Sequence, residues 1–97
     1  MRVISNRALR EFGERFSDSK DALKTWYAEA KAASWQTPAE IKEKYRSASI
    51  LKESRVVFNI CGNKYRLVVK INYKTGMVLI RFVGTHKEYD AIDVEVV

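Results

Sequence analysis

The sequence predicts an α+β protein in which two or three helices pack on one face of a small antiparallel sheet. Apolar residues of the first half recur every three or four positions, as on one face of a helix. After Ser54 the apolar residues alternate with polar ones, as on a strand with one buried face. A chain of 97 residues is long enough for one modest core, so residues 1–97 are expected to form a single domain.

The first half predicts a short strand followed by helices. Residues 1–4 are expected to form the strand, and Ser5 or Asn6 can cap the helix that follows. The apolar stripe of this helix is Ala8, Leu9, Phe12 and Phe16. The chain breaks around Ser17–Ser19, and a second helix follows. Its apolar face consists of Ala22, Leu23, Trp26, Tyr27, Ala30 and Ala33.

A third, short helix is predicted by the segment Thr37-Pro38-Ala39-Glu40. Thr37 can accept a hydrogen bond from a free N–H of the first turn, and Pro38 stands where no N–H is needed. Glu40 lies three residues after Thr37, which is the spacing of a capping box. The helix is expected to end before Ser47-Ala48-Ser49, which does not continue its pattern.

The second half predicts three strands joined by two hairpins. The strands are RVVFNI (55–60), KYRLVVKINY (64–73) and MVLIRFV (77–83), all rich in β-branched and aromatic residues. Segments 61–63 and 74–76 contain glycine and suit tight turns. Alternation puts Val56, Phe58, Ile60, Tyr65, Leu67, Val69, Ile71, Tyr73, Val78, Ile80 and Phe82 on the face toward the helices. The opposite face is expected to be open and to carry Asn59, Lys64, Arg66 and Arg81.

Residues 54–87 form a long stretch in which positive charges have no acidic neighbours along the chain. The net charge is +6, yet no acidic residue occurs between Glu53 and Glu88. The cations of this interval are Arg55, Lys64, Arg66, Lys70, Lys74, Arg81 and Lys87. A surface of one sign repels itself unless an anion lies against it, so the pattern favours an anionic partner such as RNA or DNA.

The composition excludes several classes of site. One histidine and one cysteine, Cys61, cannot form a four-ligand zinc site, and the basic interval has no carboxylates for a two-metal nuclease. Neither a glycine-rich phosphate loop nor a secretory leader is visible, and no apolar run approaches the roughly 20 residues of a membrane helix. We therefore expect no cofactor and no membrane contact. Cys61 cannot form an internal disulfide, which suits a reducing, cytoplasmic location.

The stretch GTHKEYD (84–90) carries the only histidine. Thr85 and Glu88 have the spacing of a capping box, so a short helix is expected to begin here, with His86 and Lys87 exposed and Tyr89 and Ile92 packed inward. RNA cleavage by attack of a 2′-hydroxyl needs proton-transfer groups and cations for the developing phosphoryl charge. His86, Tyr89 and a lysine of lowered pKa such as Lys64 are candidates for the first role, and Arg66 and Arg81 for the second. A module that binds nucleic acid without cutting it remains an alternative.

The second half resembles the HigB-type toxins of bacterial toxin–antitoxin pairs, which are relatives of the RelE mRNA interferases. The segments that carry the resemblance are Phe58-Asn59, Gly62-Asn63, Tyr65-Arg66-Leu67, Ile80-Arg81, Thr85-His86, Glu88-Tyr89-Asp90 and Ile92-Asp93. The resemblance implies a RelE-like toxin that needs no metal, cleaves mRNA on translating ribosomes and is silenced by a HigA-like antitoxin.

The site implied by this resemblance coincides with the basic strands and the His86 segment. The expected catalytic residues are His86, Arg81, Arg66, Lys64 and Tyr89. The expected RNA-binding residues are Asn59, Lys70, Lys87 and Arg55.

Overall fold

A computed structural model describes all residues, 1–97, and confirms the α+β class. The helices are α1 (Arg7–Arg15), α2 (Lys20–Ala32), α3 (Pro38–Lys44) and α4 (His86–Asp90), with a single 3₁₀ turn at Ser17–Ser19. The strands are β1 (Arg2–Ile4), β2 (Ser49–Ile50), β3 (Arg55–Ile60), β4 (Tyr65–Asn72) and β5 (Met77–Thr85). None of the helices combines the length and the apolar character that crossing a membrane requires.

The five strands form one sheet in the order β1-β5-β4-β3-β2. β3, β4 and β5 pair antiparallel through two hairpins, as predicted. β1 pairs with β5 in parallel, so the sheet is mixed, whereas the prediction was of an antiparallel sheet. Two strands joined by a short hairpin turn must run antiparallel. β1 is joined to β5 by the whole intervening chain, so no short turn fixes its direction relative to β5. The sequence pattern did not predict β2, whose two residues pair with Val56 and Val57 of β3.

The core lies between α1–α3 and one face of the sheet. Leu67, Val69 and Val56 are completely buried at its centre, and Phe58 is almost so. Trp26 of α2 meets Phe58 edge-on, with ring centroids 5.3 Å apart. The predicted apolar faces of the helices and of β3 and β4 therefore form the core, and their burial holds the sheet in place beneath the helices.

Two of the three predicted helix starts are capped by side chains. Thr37 Oγ1 accepts the Glu40 N–H at 3.4 Å, while the Glu40 carboxylate accepts the N–H of Gln36 at 3.1 Å. Thr85 and Glu88 form a complete capping box at α4. At α1 the N-cap residue is Asn6, but neither of the predicted caps forms a side-chain hydrogen bond there. Asn6 already has helical backbone angles, which differ from the extended conformation that side-chain capping favours.

A β-bulge changes the faces of β5. Val69 pairs with Ile80 whereas Val68 pairs with Phe82, so Arg81 is an extra residue between them. Past the bulge the alternation is shifted by one position. Val83 therefore packs against the core, and Phe82 faces away from the helices on the side of Val68. Phe82 was thus predicted on the wrong face, and Val83 was missing from the predicted helix face.

The face of the sheet opposite the helices is not open. Val57 and Val68 on this face are 3% and 0% exposed. Arg55, on the same face, is also buried, and its Nε donates to the backbone oxygen of Val97 at 3.1 Å. The chain leaves α4 beside one end of β4 and reaches Arg55 beside the other end, so residues 91–97 run along this face and shield it.

Candidate active site

The candidate site is built where β5 ends and α4 begins. The Thr85 N–H donates to Glu88 Oε1 at 2.9 Å, and the Glu88 N–H donates to Thr85 Oγ1 at 3.1 Å. Gly84 permits this arrangement, because a Cβ atom here would lie 2.5 Å from the ring of Phe82 and 3.1 Å from Glu88. The capping box therefore fixes the orientation of α4, and with it the place of His86.

His86 is oriented by a backbone hydrogen bond and by a close contact between its ring and Asp90. Its backbone N–H donates to the carbonyl of Lys64 at 3.1 Å, which ties α4 to the end of the β3–β4 turn. Its ring Nδ1 lies 2.9 Å from Asp90 Oδ2, one helical turn further on. A carboxylate on Nδ1 selects the tautomer whose other nitrogen, Nε2, is free to accept a proton. The side chain is 47% exposed, so the ring is accessible to a substrate.

An open groove runs beside His86, between α4 and the chain around the 3₁₀ turn. We call it the α4 groove. Its lining residues are Arg15, Phe16, Ser17, Asp18, Lys64, Tyr65, Thr85, His86 and Lys87. Four of these side chains carry positive charge or gain it on protonation, and Asp18 is the only acid among them. The groove therefore offers an anion a cationic surface next to an imidazole.

Lys64 is held in the α4 groove by an ion pair with Asp18. The hydrogen bond to Asp18 raises the pKa of Lys64, and the attraction between the two charges adds to the effect. The sequence pattern predicted a lowered pKa for Lys64, because the charged residues nearest to it along the chain are cations and the acid that meets it is 46 residues away. Lys64 is consequently a charged group at neutral pH and is not prepared to act as a base.

Arg66 lies outside the α4 groove, against Tyr89 of α4. Its guanidinium donates to the side-chain oxygen of Asn63 at 2.7 Å and to the Asn63 carbonyl at 3.1 Å. The guanidinium carbon lies 5.8 Å from the centroid of the Tyr89 ring, within the range of a cation–π contact. Arg66 and Tyr89, both predicted site residues, are thus joined to each other.

The other predicted residues lie at different distances from His86. Lys87 is exposed in the α4 groove. Asn59 is the β3 residue paired with Arg66 of β4, and its side-chain amide donates to the Ser47 carbonyl at 3.3 Å. Arg81 is exposed, four residues before Thr85, which corresponds to about 13 Å along an extended strand. Lys70 pairs with Leu79, still further from α4.

Arg55 does not fit the role predicted for it. Its side chain is 7% exposed and pairs with Glu53 at 3.0 Å. A guanidinium that is buried and already paired cannot reach a phosphate without breaking both contacts.

Three residues of the site were missed from the sequence. Asp18 and Arg15 belong to the first half of the chain, where positive and negative charges are mixed and neither residue stands out. Their place in the groove depends on how the 3₁₀ turn packs on the β3–β4 turn. Asp90 could have been found, because residues four apart on a helix face each other. For a metal ion, no three histidine, cysteine or carboxylate side chains lie together.

The α+β fold, with cations around one histidine, defines a small protein with a surface site suited to an anionic ligand. Comparison with known proteins identifies the family. Residues 19–92 match the model of the HigB toxin, the RelE-like toxic component of a toxin–antitoxin system. The chain belongs to this family, and membership implies an antitoxin as partner.

Individual relatives match over nearly the whole chain. The mRNA interferase toxin HigB of Escherichia coli (strain K12) is 29% identical over 92 residues, which are 93% of this chain and 88% of the relative. The mRNA interferase HigB of Shigella flexneri matches with the same identity and coverage. The mRNA interferase HigB of Escherichia coli O6:H1 is 23% identical over 94 residues, or 95% of this chain and 91% of the relative.

Proposed function

We propose that this protein is an endoribonuclease that cleaves mRNA held on translating ribosomes, without a metal ion, and that it acts in the cytoplasm as a toxin silenced by a HigA-like antitoxin. The observation that carries the proposal is the 2.9 Å distance between His86 Nδ1 and Asp90 Oδ2, which directs Nε2 to act as the proton acceptor in a cationic groove. The names of the relatives support RNA as the substrate.

In this mechanism His86 Nε2 takes the proton of a 2′-hydroxyl, whose oxygen attacks the adjacent phosphorus. The bond from phosphorus to the 5′ oxygen breaks, and the leaving oxygen takes a proton from the solvent that fills the open groove. The products end in a 2′,3′-cyclic phosphate and a 5′-hydroxyl. Asp90 holds the ring and stabilises the imidazolium that forms.

The cations stabilise the charge that grows on the phosphoryl oxygens. Lys64 lines the α4 groove together with His86, and Arg66 offers a planar guanidinium beside Tyr89 of α4. Arg81 and Lys70 lie too far along the sheet to meet the same phosphate, so they bind flanking nucleotides. Lys87 and Asn59 lie close enough to α4 to bind the nucleotides next to the cleaved bond.

The shape of the groove supports the ribosome as the place of action. The α4 groove is shallow and open, so it encloses too little of an RNA strand to orient the 2′-hydroxyl for in-line attack. Orientation contributes a large part of the barrier reduction in such reactions. A ribosome that presents a stretched mRNA would supply it.

The test is cleavage of a defined mRNA by the purified protein, with and without programmed ribosomes, mapped by primer extension. We expect cuts that require ribosomes, with rates lower by about 10²–10⁴-fold in His86→Ala and by a smaller factor in Asp90→Asn. Lys24→Ala, which removes an exposed cation on α2, is the matched control and should cleave normally. Binding without any cleavage would instead support a nucleic-acid-binding module. Undiminished cuts in His86→Ala would remove His86 from the mechanism.

A further inference from the structure

Asp18 is the one acid in an otherwise cationic groove, and both of its carboxylate oxygens are occupied. Oδ1 accepts the hydroxyl of Tyr65 at 2.5 Å, and Oδ2 accepts Lys64 Nζ. Neither partner is close to Asp18 in sequence, since each lies more than 40 residues away. The carboxylate therefore joins the 3₁₀ turn to the start of β4.

The Tyr65 contact makes Asp18 a fixed acceptor. Tyr65 is only 2% exposed, and its ring packs edge-on against Phe12 at 5.2 Å. The backbone of Asp18 is held as well, because Cys61 Sγ lies 3.3 Å from its carbonyl oxygen. The position of the carboxylate is thus set by the hydrophobic core, although Asp18 itself is exposed.

Lys64, in contrast, has a long side chain that is 61% exposed. Without a partner, such a side chain samples many rotamers, and its ammonium group has no fixed place. Its backbone is anchored beside the site, since its carbonyl accepts the His86 N–H. The contact with Asp18 adds the missing constraint, because it directs the ammonium into the groove that His86 also lines.

We infer that Asp18 is a positioning residue for the RNA cleavage proposed above, and that it holds the Lys64 ammonium beside His86 as a fixed cation for the phosphate at the cleaved bond. The inference rests on the proposed function. A residue that positions Lys64 differs from one that binds RNA, because the Asp18 carboxylate itself repels a phosphate.

If Asp18 positions Lys64, replacing Asp18 should change the cleavage rate and the RNA affinity in different ways. Replacing Asp18 by Asn removes a negative charge from the groove, so RNA should bind as tightly as before or more tightly. Lys64 would lose its fixed place, so the rate of the chemical step should fall. A purely structural role of Asp18 would weaken binding and stability together and would not produce this split.

The experiment measures single-turnover cleavage of ribosome-bound mRNA and the affinity for RNA in Asp18→Asn, Lys64→Ala and the double variant. We expect Asp18→Asn to cleave about tenfold more slowly or worse, with unweakened affinity, and the double variant to be no slower than Lys64→Ala. Asp21→Asn, the same charge change at an exposed position in the first turn of α2, is the control. Cleavage at the normal rate in Asp18→Asn, or losses that multiply in the double variant, would overturn the inference.

A second measurement does not depend on cleavage. An amine-acylating reagent reacts with the neutral form of lysine, so the Lys64–Asp18 pair should slow the labelling of Lys64. Mass mapping of labelled peptides should show faster labelling of Lys64 in Asp18→Asn than in the unsubstituted protein. Equal labelling rates would mean that the pair does not form in solution. A protein that shows the labelling difference but never cleaves RNA would contradict the proposed function and leave the pairing intact.

Discussion

The guanidinium of Arg66 lies over the ring of Tyr89, 5.8 Å from its centroid. The same guanidinium is hydrogen-bonded to Asn63 on the β3–β4 turn. This flexible cation is thereby held between the β3–β4 turn and the last helix. Tyr89 acts in this pair through its ring.

The Tyr89 ring can be tested separately from its hydroxyl group. We expect Tyr89→Phe to cleave mRNA at close to the normal rate, because the cation–π contact remains. Tyr89→Ala removes the contact, worth about 0.5–1 kcal/mol at an exposed site, and should weaken RNA affinity severalfold. Binding and cleavage assays on both variants check this. Loss of cleavage in Tyr89→Phe would instead give the hydroxyl the proton-transfer role predicted from the sequence.

Arg55 is expected to stabilise the fold and to leave RNA binding unaffected. Arg55→Ala removes the donor to the Val97 backbone oxygen and the partner of Glu53, and should lower the free energy of unfolding by about 1–3 kcal/mol. Denaturant titration measures this change, with Lys52→Ala as an exposed control in the same segment. The folded Arg55→Ala variant should bind RNA with unchanged salt dependence. A shallower dependence would show that Arg55 reaches phosphate after all.

Arg81 is expected to contact one phosphate of a flanking nucleotide. Each phosphate neutralised on a single strand contributes about 0.7 to the slope of log affinity against log salt. Arg81→Ala should therefore reduce the slope by about 0.7 and weaken affinity. Arg7→Ala, which removes an exposed arginine paired with Glu11 on α1, should leave both unchanged. An unaltered slope in Arg81→Ala would mean that the bulge of β5 does not contact the bound RNA.

Glu88 makes stability depend on pH. The hydrogen bond from the Thr85 backbone, assisted by Arg15, lowers the pKa of the Glu88 carboxyl in the folded state. The folded state thus binds its proton less readily than the unfolded chain, and the stabilisation is present above the unfolded pKa and is lost as pH falls through the folded pKa. At pH 7 the Glu88→Gln variant should have a lower free energy of unfolding than the unsubstituted protein, and this difference should shrink as the pH is lowered. Denaturation across acidic pH, with exposed Glu43→Gln as control, measures this. A constant difference would contradict it.

Much of the site could be predicted from the sequence because its hydrogen bonds join residues that are close along the chain. The capping box of Thr85 and Glu88 joins residues three apart, and it placed His86 at an exposed helix start, as the structure confirms. The alternation in β3 and β4 likewise assigned Arg66 and Leu67 to opposite faces. Local hydrogen bonds and the two-residue period of a strand suffice for both.

What escaped prediction depends on contacts between distant segments. The three long strands, their order along the chain and the acid-free basic segment followed from the sequence alone. The tertiary structure decided the parallel pairing of β1, the bulge that reverses Phe82 and Val83, and the meeting of Asp18 with Lys64. No rule of spacing links such residues, because their approach is set by how the helices and the sheet bury a common core.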